Sequence, residues 1–332
     1  MKIAIVGMGY WGPNLIRNFL NTEGVTEVSC FDLDPERVVK TKKRFTNIKV
    51  HNSLEDILKS DVDAMVLATP VSTHYPLAKA ALEHGKHVLV EKPLATKASD
   101  CEDLICAASK NDRVLMVDHT FIFTGAVRKI KEMVNDGMIG NLFYFDSIRI
   151  NLGLFQHDVN VIWDLAPHDL SIMNHLIDRK PTSVSATGVN HINGKEDVAY
   201  LTVQFDTGLM AHFHVNWLAP VKIRRILIGG SKKMIVYDDM QPSEKVRVYD
   251  KGVQMTTREG IYNTLVQYRT GDMFAPRIEE SEALSEVAKE FVGSINEHRQ
   301  PLSNGESGLN IVRLLEAAQQ SIKSNGQVIK LN

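Results

Sequence analysis

The chain is poor in cysteine, with 3 in 332 residues: Cys30, Cys101 and Cys106. The count is odd and the spacing is neither CxxC nor a zinc pattern, which argues against a disulfide-built fold and a cysteine-ligated zinc centre. Each thiol lies in an apolar stretch and reads as a reduced core residue. Charge of one sign is also missing. The 38 basic and 40 acidic side chains leave a formal net charge of −2, so there is no basic excess to meet a nucleic-acid backbone or an anionic membrane surface. No apolar run approaches the roughly 20 residues that a membrane-spanning helix needs. The opening MKIAIVGMGYWG sets a lysine before an apolar run, but the run is short and leads into a glycine-rich turn instead of a small-residue cleavage site. Internal repeats, low-complexity tracts and flexible linkers are absent too. What remains is a cytoplasmic globular protein whose length fits two domains better than one.

The first 120 residues alternate short apolar runs with amphipathic stretches, the pattern of βαβ units and a parallel sheet. The runs are Ile3–Val6, Val25–Phe31, Ala64–Ala68, Val88–Val90 and Val114–Val117. Helices are predicted over Asn14–Leu20, Pro35–Arg44, Leu54–Leu58, Tyr75–Glu83 and Ala98–Lys110, with Pro13 and Pro35 suited to first turns and Ser53 with Asp56 forming a partial capping box. After Asp118 the pattern changes. Helical stretches at Ala126–Val134 and Val161–Leu176 flank a strand-like run, Leu142–Ile150. Closely spaced β-type runs follow between 184 and 249, too near one another for crossover helices, and two helices close the chain near Ser281–Ile295 and Gly308–Ser324. The fold class predicted is α/β plus α+β: an N-terminal Rossmann doubly wound parallel sheet over 1–120, and a second domain over 121–332 built on an open, mainly antiparallel β-sheet.

Residues 7–12 read GMGYWG, a GxGxxG placed directly after a strand and before a helix. That context points to dinucleotide binding. Gly7 permits the tight turn, Gly9 lets the backbone approach a pyrophosphate, and Gly12 lets helix and strand pack closely, while the helix N-terminus offers free N–H groups to phosphate. Asp32 ends the second strand and can accept from the adenosine ribose hydroxyls while repelling a 2′-phosphate; Leu33 follows it, so NAD is expected over NADP, with Arg37 the one nearby cation that argues the other way. Read more simply, Asp32 is a turn or cap residue. Tyr10 and Trp11 either shield a cofactor or pack the core.

The segment ATPVSTHYPLAKAALEHGKHVLVEKPLA, residues 68–95, resembles the Gfo/Idh/MocA oxidoreductases in Thr69, Pro70, His74, Gly85–Leu89 and Glu91-Lys92-Pro93. The likeness continues through MIGNLFYF and DLAPHDL and covers essentially the whole chain in order. The resemblance implies NAD(H) as cofactor, with Thr69, Pro70, His74, Glu91 and Lys92 beside the glycine turn and Asp32 in binding it. It also implies hydride transfer between the nicotinamide and a carbon bearing a hydroxyl or ketone on a sugar or cyclitol. Lys92 follows the fifth strand, at the carboxyl edge where ligands bind, and its ammonium suits a developing negative charge on the reacting oxygen. In the family the Lys–Pro bond is commonly cis. Asp164 and His168 match the family's acid–xxx–histidine pattern; on a regular helix they share a face, with His168 as general base and Asp164 orienting it or contacting a substrate hydroxyl. Pro167 lies between them, so a helix either begins near it or bends there. Asp169 is left unassigned.

INLGLFQHDVNVIWDLAPHDL and HVNWLAPVKIRRILIGGSKKMIVYDD look like the nucleotide-sugar branch, which implies a small-molecule substrate, a UDP-sugar oxidised at C3 of UDP-N-acetylglucosamine or its uronic acid. Arg149 and Asn151 are predicted sugar contacts. Lys222, Arg224 and Arg225 form a basic cluster that either attracts a diphosphate or is a solvated face. His212 and His214 share one side of a strand and read as sheet packing, with no metal site. An open sheet face predicts a homodimer or homotetramer. Two other functions stay open: a dehydrogenase of a free sugar or inositol, and a non-catalytic NAD-binding regulator.

Overall fold

The computed structural model describes residues 1–153, 159–255 and 266–331. The chain forms two compact units, Met1–Thr124 with Ser281–Glu316, and Gly125–Glu280 with Ala317–Asn332.

The first unit runs β1 (Lys2–Val6), α1 (Gly12–Leu20), β2 (Glu27–Phe31), α2 (Pro35–Arg44), β3 (Lys49–Val50), α3 (Leu54–Lys59), β4 (Ala64–Leu67), α4 (His74–Glu83), β5 (His87–Glu91), α5 (Ala98–Lys110) and β6 (Leu115–Asp118). Its six strands lie in the order β3-β2-β1-β4-β5-β6, all parallel. The order reverses at β1, and ligands bind such sheets at the carboxyl ends of the strands beside that reversal. Ile3, Ala4 and Ile5 are fully buried, which is why β1 reads as a continuous apolar run and not as an alternating one. The helix starts follow their side chains: Asp34 accepts from the Glu36 N–H at 2.9 Å, and Ser53 from the Asp56 N–H at 3.1 Å. Strand β3 is two exposed residues long, so no apolar run marks it.

The second unit runs α6 (Gly125–Asn135), β7 (Leu142–Leu152), α7 (Val161–Leu176), β8 (Pro181–Val189), β9 (Val198–Phe205), β10 (Met210–Asn216), β11 (Leu218–Gly230), β12 (Met234–Asp238), β13 (Val246–Met255) and β14 (Val266–Phe274). The helices α8 (Ala283–Asn296) and α9 (Gly305–Lys323) follow, and β15 (Ile329–Lys330) closes the chain. The nine-stranded sheet has the order β14-β13-β12-β11-β7-β10-β9-β8-β15 and is antiparallel except where β7 and β10 pair. Helix α7 buries Ile162, Ala166, Leu170 and Met173, and Phe145 meets Phe213 in the core at 5.7 Å between ring centroids.

Two expectations change. A boundary at 120/121 puts everything downstream in one domain, yet Ser281–Glu316 belongs to the first unit. The cause is α8, whose Leu284, Val287, Phe291 and Ile295 share a core with Leu15 and Phe19 of α1. Of the three cysteines, Cys30 and Cys101 are buried, and burial raises their thiols to about 11 and about 12, but Cys106 is exposed. The buried stripe of α5 is Cys101, Leu104 and Ala108, and position 106 falls off it. Among the described residues no helix is long and apolar enough to cross a membrane.

Candidate active site

The glycine turn is shaped by backbone approach. Gly7 has φ +97°, and a Cβ there would lie 2.4 Å from the Ala68 carbonyl oxygen; a Cβ on Gly12 would lie 2.1 Å from the Gly7 carbonyl oxygen. Gly9 differs: a Cβ there meets nothing nearer than Arg37 Nη1 at 3.9 Å, so that side of the turn is open. Helix α1 starts without a side-chain cap, and Pro13 stands in its first turn, leaving backbone N–H groups for an anion. One oxygen of Asp32 accepts from the Met8 N–H at 2.5 Å and the other from the Asp34 N–H at 2.8 Å. The carboxylate thus ties the end of β2 to the glycine turn, and each oxygen keeps a further lone pair for a ribose hydroxyl. Arg37 pairs with Asp34 at 3.2 Å. Tyr10 and Trp11 are 82% and 43% exposed and meet edge to face, which removes the core-packing alternative. These residues fit a dinucleotide: the turn is closed where the fold needs it and open where a pyrophosphate approaches.

At the carboxyl edge of the same sheet β5 ends on Glu91, which pairs in register with Asp118 at the end of β6. Both are buried. Burial, then the neighbouring Asp118 charge, pushes the Glu91 carboxyl well above its usual range, and burial raises Asp118 to about 6. Lys92 follows, half-buried, joined to Pro93 by a cis peptide bond. Its charge opposes both carboxyl shifts, and after burial it is the second cause that lowers His119 to about 4. Sequence reasoning passed over Asp118 and His119; their one signal was position, directly after the apolar run Val114–Val117. His74, expected to touch the cofactor, is 1% exposed. Its Nδ1 lies 2.8 Å from the Pro93 carbonyl and its Nε2 2.9 Å from the Thr69 carbonyl. It joins the Thr69–Pro70 turn to the Lys92–Pro93 turn from inside, because a buried imidazole must spend its nitrogens on protein groups. Thr69 is half-buried, its hydroxyl 2.7 Å from that of Thr73, and Pro70 is exposed.

In the second unit Asn160 caps α7 by accepting from the Trp163 N–H at 3.2 Å. The helix starts there and runs through Pro167, so it does not begin at the proline, and Asp164 and His168 stand one turn apart, both half-buried. Trp217 donates its indole N–H to Asp164 Oδ2 at 3.1 Å. Arg149 is not placed as a sugar contact. It is 4% exposed and forks onto Asp169 at 2.9 and 2.6 Å, with the Ser147 hydroxyl donating to the same carboxylate at 2.8 Å. A guanidinium buried this deeply needs a carboxylate, and Asp169, next to His168, provides it. Asn151 lies two residues along β7 and is half-buried. In the expected basic cluster Arg224 pairs with Asp239 at 3.3 Å and Arg225 with Asp238 at 2.8 Å, while Lys222 stands exposed. Tyr200 stacks on His214 at 4.5 Å, and His212 Nδ1 lies 3.2 Å from the Thr202 hydroxyl, the sheet packing expected. Among the described residues no three His, Cys, Asp or Glu side chains gather as a metal site. Residues 154–158 of the branch-like segment lie outside the described residues.

Comparison with known proteins bears on both units. Residues 1–119 match the model of the oxidoreductase family with NAD-binding Rossmann fold, and residues 127–236 that of the GFO/IDH/MocA C-terminal domain. The chain is 29% identical to a 2,7-anhydro-N-acetylneuraminate hydratase of Mediterraneibacter gnavus over 71% of its own length and 66% of the relative's. It is 25% identical to the UDP-N-acetylglucosamine 3-dehydrogenase of Acidithiobacillus ferrooxidans over 96% of each chain. It is 23% identical to a myo-inositol 2-dehydrogenase of Thermotoga maritima over 99% of this chain and 98% of that one. The solved Acidithiobacillus enzyme superposes with a TM-score of 0.80 at 22% identity, covering 98% of both chains, a likeness of fold.

Proposed function

The chain belongs to the Gfo/Idh/MocA family of NAD-binding oxidoreductases, and from that footing we propose that it oxidises a secondary alcohol of a nucleotide sugar, C3 of a UDP-N-acetylhexosamine or its uronic acid. The observation that carries the chemistry is the α7 pair: Asp164 and His168 on one helix turn, with the Asp164 carboxylate held by Trp217. The match along 96% of both chains to a UDP-N-acetylglucosamine 3-dehydrogenase supports the substrate class.

Bound NAD⁺ supplies the hydride acceptor. The glycine turn and the start of α1 hold its diphosphate, and Asp32 receives a ribose hydroxyl. His168 takes the proton from the substrate hydroxyl. Lys92 hydrogen-bonds the same oxygen and stabilises its developing negative charge. Asp164 orients the imidazole or a substrate hydroxyl, and Asn151 is a sugar contact. The first unit is the cofactor domain. The second binds substrate and joins copies into a dimer or tetramer through the sheet face that carries the exposed Tyr200 and Met210. A second reading, oxidation of a free cyclitol, is favoured by the nearly full-length match to a myo-inositol 2-dehydrogenase.

The deciding experiment mixes the protein with NAD⁺ and, separately, UDP-N-acetylglucosamine, its uronic acid, free sugars and inositol, with a ketone trap present and NADH followed optically. Reduction with a UDP-sugar alone supports the proposal. Reduction with inositol or a free sugar alone replaces it with the second reading. In the productive assay, Lys92→Ala and His168→Ala each lower kcat by roughly 10²–10⁴; unchanged turnover in both sinks the mechanism.

A further inference from the structure

Asp164 is a half-buried acidic side chain on α7, and a carboxylate orients a neighbour only when its own rotamer is held. Trp217 is fully buried, and its indole nitrogen, a donor only, meets Asp164 Oδ2, an acceptor only, at 3.1 Å. We propose that Trp217 is a positioning residue for the reaction: its indole N–H fixes the Asp164 carboxylate, and with it the direction of that carboxylate's other oxygen, one turn ahead of His168. The inference rests on the proposed role of the Asp164/His168 pair.

Two observations show that the contact is built. First, donor and acceptor share one backbone reference. The carbonyl of Glu196 accepts from the Val161 N–H at 2.9 Å, at the start of α7, and the carbonyl of the next residue, Asp197, accepts from the Trp217 N–H at 2.9 Å. Helix and indole are thereby anchored to consecutive peptide groups. Asn160 reinforces the anchor, donating to Glu196 Oε2 at 2.7 Å and to Gln319 Oε1 at 2.6 Å. Asp197 is itself held, accepting from the His191 N–H and ring at 2.7 Å each. Second, the ring cannot turn away. The Trp217 carbonyl accepts from the Gly153 N–H at 3.1 Å, and a Cβ at Gly153 would lie 2.8 Å from Trp217 Cδ1, so the main chain of 153 closes over the indole edge. Buried rings, paired carbonyls and a glycine at the one position with no room for a side chain together hold the N–H on its line.

The test is a double-mutant cycle with a binding control. Trp217→Phe keeps a large ring and deletes the N–H. In the wild-type background it lowers kcat roughly 10–100-fold, the size of a misplacement remote from the reacting atoms, while the NAD⁺ dissociation constant, read by calorimetry, stays within about twofold. In the Asp164→Ala background the same substitution changes kcat by less than about twofold, because the group it positions is gone. An equal loss in both backgrounds, or no loss in the wild type, overturns the assignment. Full activity of Asp164→Ala overturns the proposed site together with it, whereas a loss in Asp164→Ala without one in Trp217→Phe overturns the positioning role alone. An independent readout needs no Trp217 variant in the assay: the indole N–H resonance of Trp217, in ¹⁵N-labelled protein, shifts in Asp164→Ala if the hydrogen bond exists and is unmoved if it does not.

Discussion

At the residue scale the molecule distinguishes charges that work on a ligand from charges that work on the fold, and the sequence does not. Arg149 at a strand end has the look of a substrate contact, yet it is buried in a forked pair with Asp169. Arg149→Met leaves that carboxylate buried and uncompensated and should cost about 3–5 kcal/mol, read as a lower urea midpoint; a loss below about 1 kcal/mol would mean the pair is far wetter than its burial indicates. Asp118 makes a pH-dependent prediction. Its pKa is raised from 3.8 to about 6, first by burial, so the folded state holds this proton more tightly than the unfolded state does. The stability it contributes is complete below about pH 4 and is lost as pH rises through about 6. Asp118→Asn keeps an oxygen for the Thr120 hydroxyl, now 2.7 Å away, and does not titrate. It should be more stable than wild type by on the order of 1–3 kcal/mol at pH 7.5 and gain little at pH 4. A gain of equal size at both pH values would assign the effect to packing.

At the element scale the glycine turn separates two requirements that one motif merges. Gly12→Ala drives a Cβ into the Gly7 carbonyl at 2.1 Å, backbone against backbone, so α1 must move off β1. Melting temperature and NAD⁺ affinity should fall together, the affinity by more than tenfold. Gly9→Ala meets nothing nearer than Arg37 Nη1 at 3.9 Å, an ordinary contact, and should melt like wild type while binding NAD⁺ more weakly, since its methyl takes the ligand's side of the turn. Equal melting losses in the two variants would remove that division. This also explains what was legible. The glycines, the buried strands and helices such as α2, α5 and α7 were readable because local geometry and burial on both faces dictate residue type directly. Strands β3 and β15 were missed because two residues carry no period, and β14, VQYRTGDMF, because its alternation stops after four residues at Thr270-Gly271-Asp272. The roles of Lys92 and His168 came from family likeness, whereas the burial of His74 and Arg149 was not legible, because burial depends on neighbours distant in sequence.

At the scale of the whole molecule the decisive fact is that the first unit is discontinuous. A cut after the sixth strand leaves an apparently complete βαβ domain, but the core of that domain includes Leu284, Val287, Phe291, Val292 and Ile295 from α8, and Phe291 meets Phe19 of α1 edge to face at 6.3 Å. Fully burying each such side chain is worth about 1.5–3 kcal/mol, so five supply roughly 7–15 kcal/mol, as much as the net stability of an ordinary domain of about 5–15 kcal/mol. Bridge and backbone contacts add to this: Met116 of β6 pairs with Asn304, and the Val117 N–H donates to the Ser303 carbonyl at 2.8 Å. A fragment of residues 1–124 therefore carries the whole cofactor fingerprint and should still fail to fold, with unfolded circular dichroism and no calorimetric response to NAD⁺. Joining 1–124 through a flexible linker to 281–316 restores those contacts. That chain should melt cooperatively and bind NAD⁺ within about tenfold of the full-length affinity, because every residue assigned to the dinucleotide lies inside it. If 1–124 alone folds and binds, the apolar face of α8 is dispensable cover and the domain ends where its sequence pattern does; if only the joined chain does, the cofactor domain was completed by a helix from the far end of the chain.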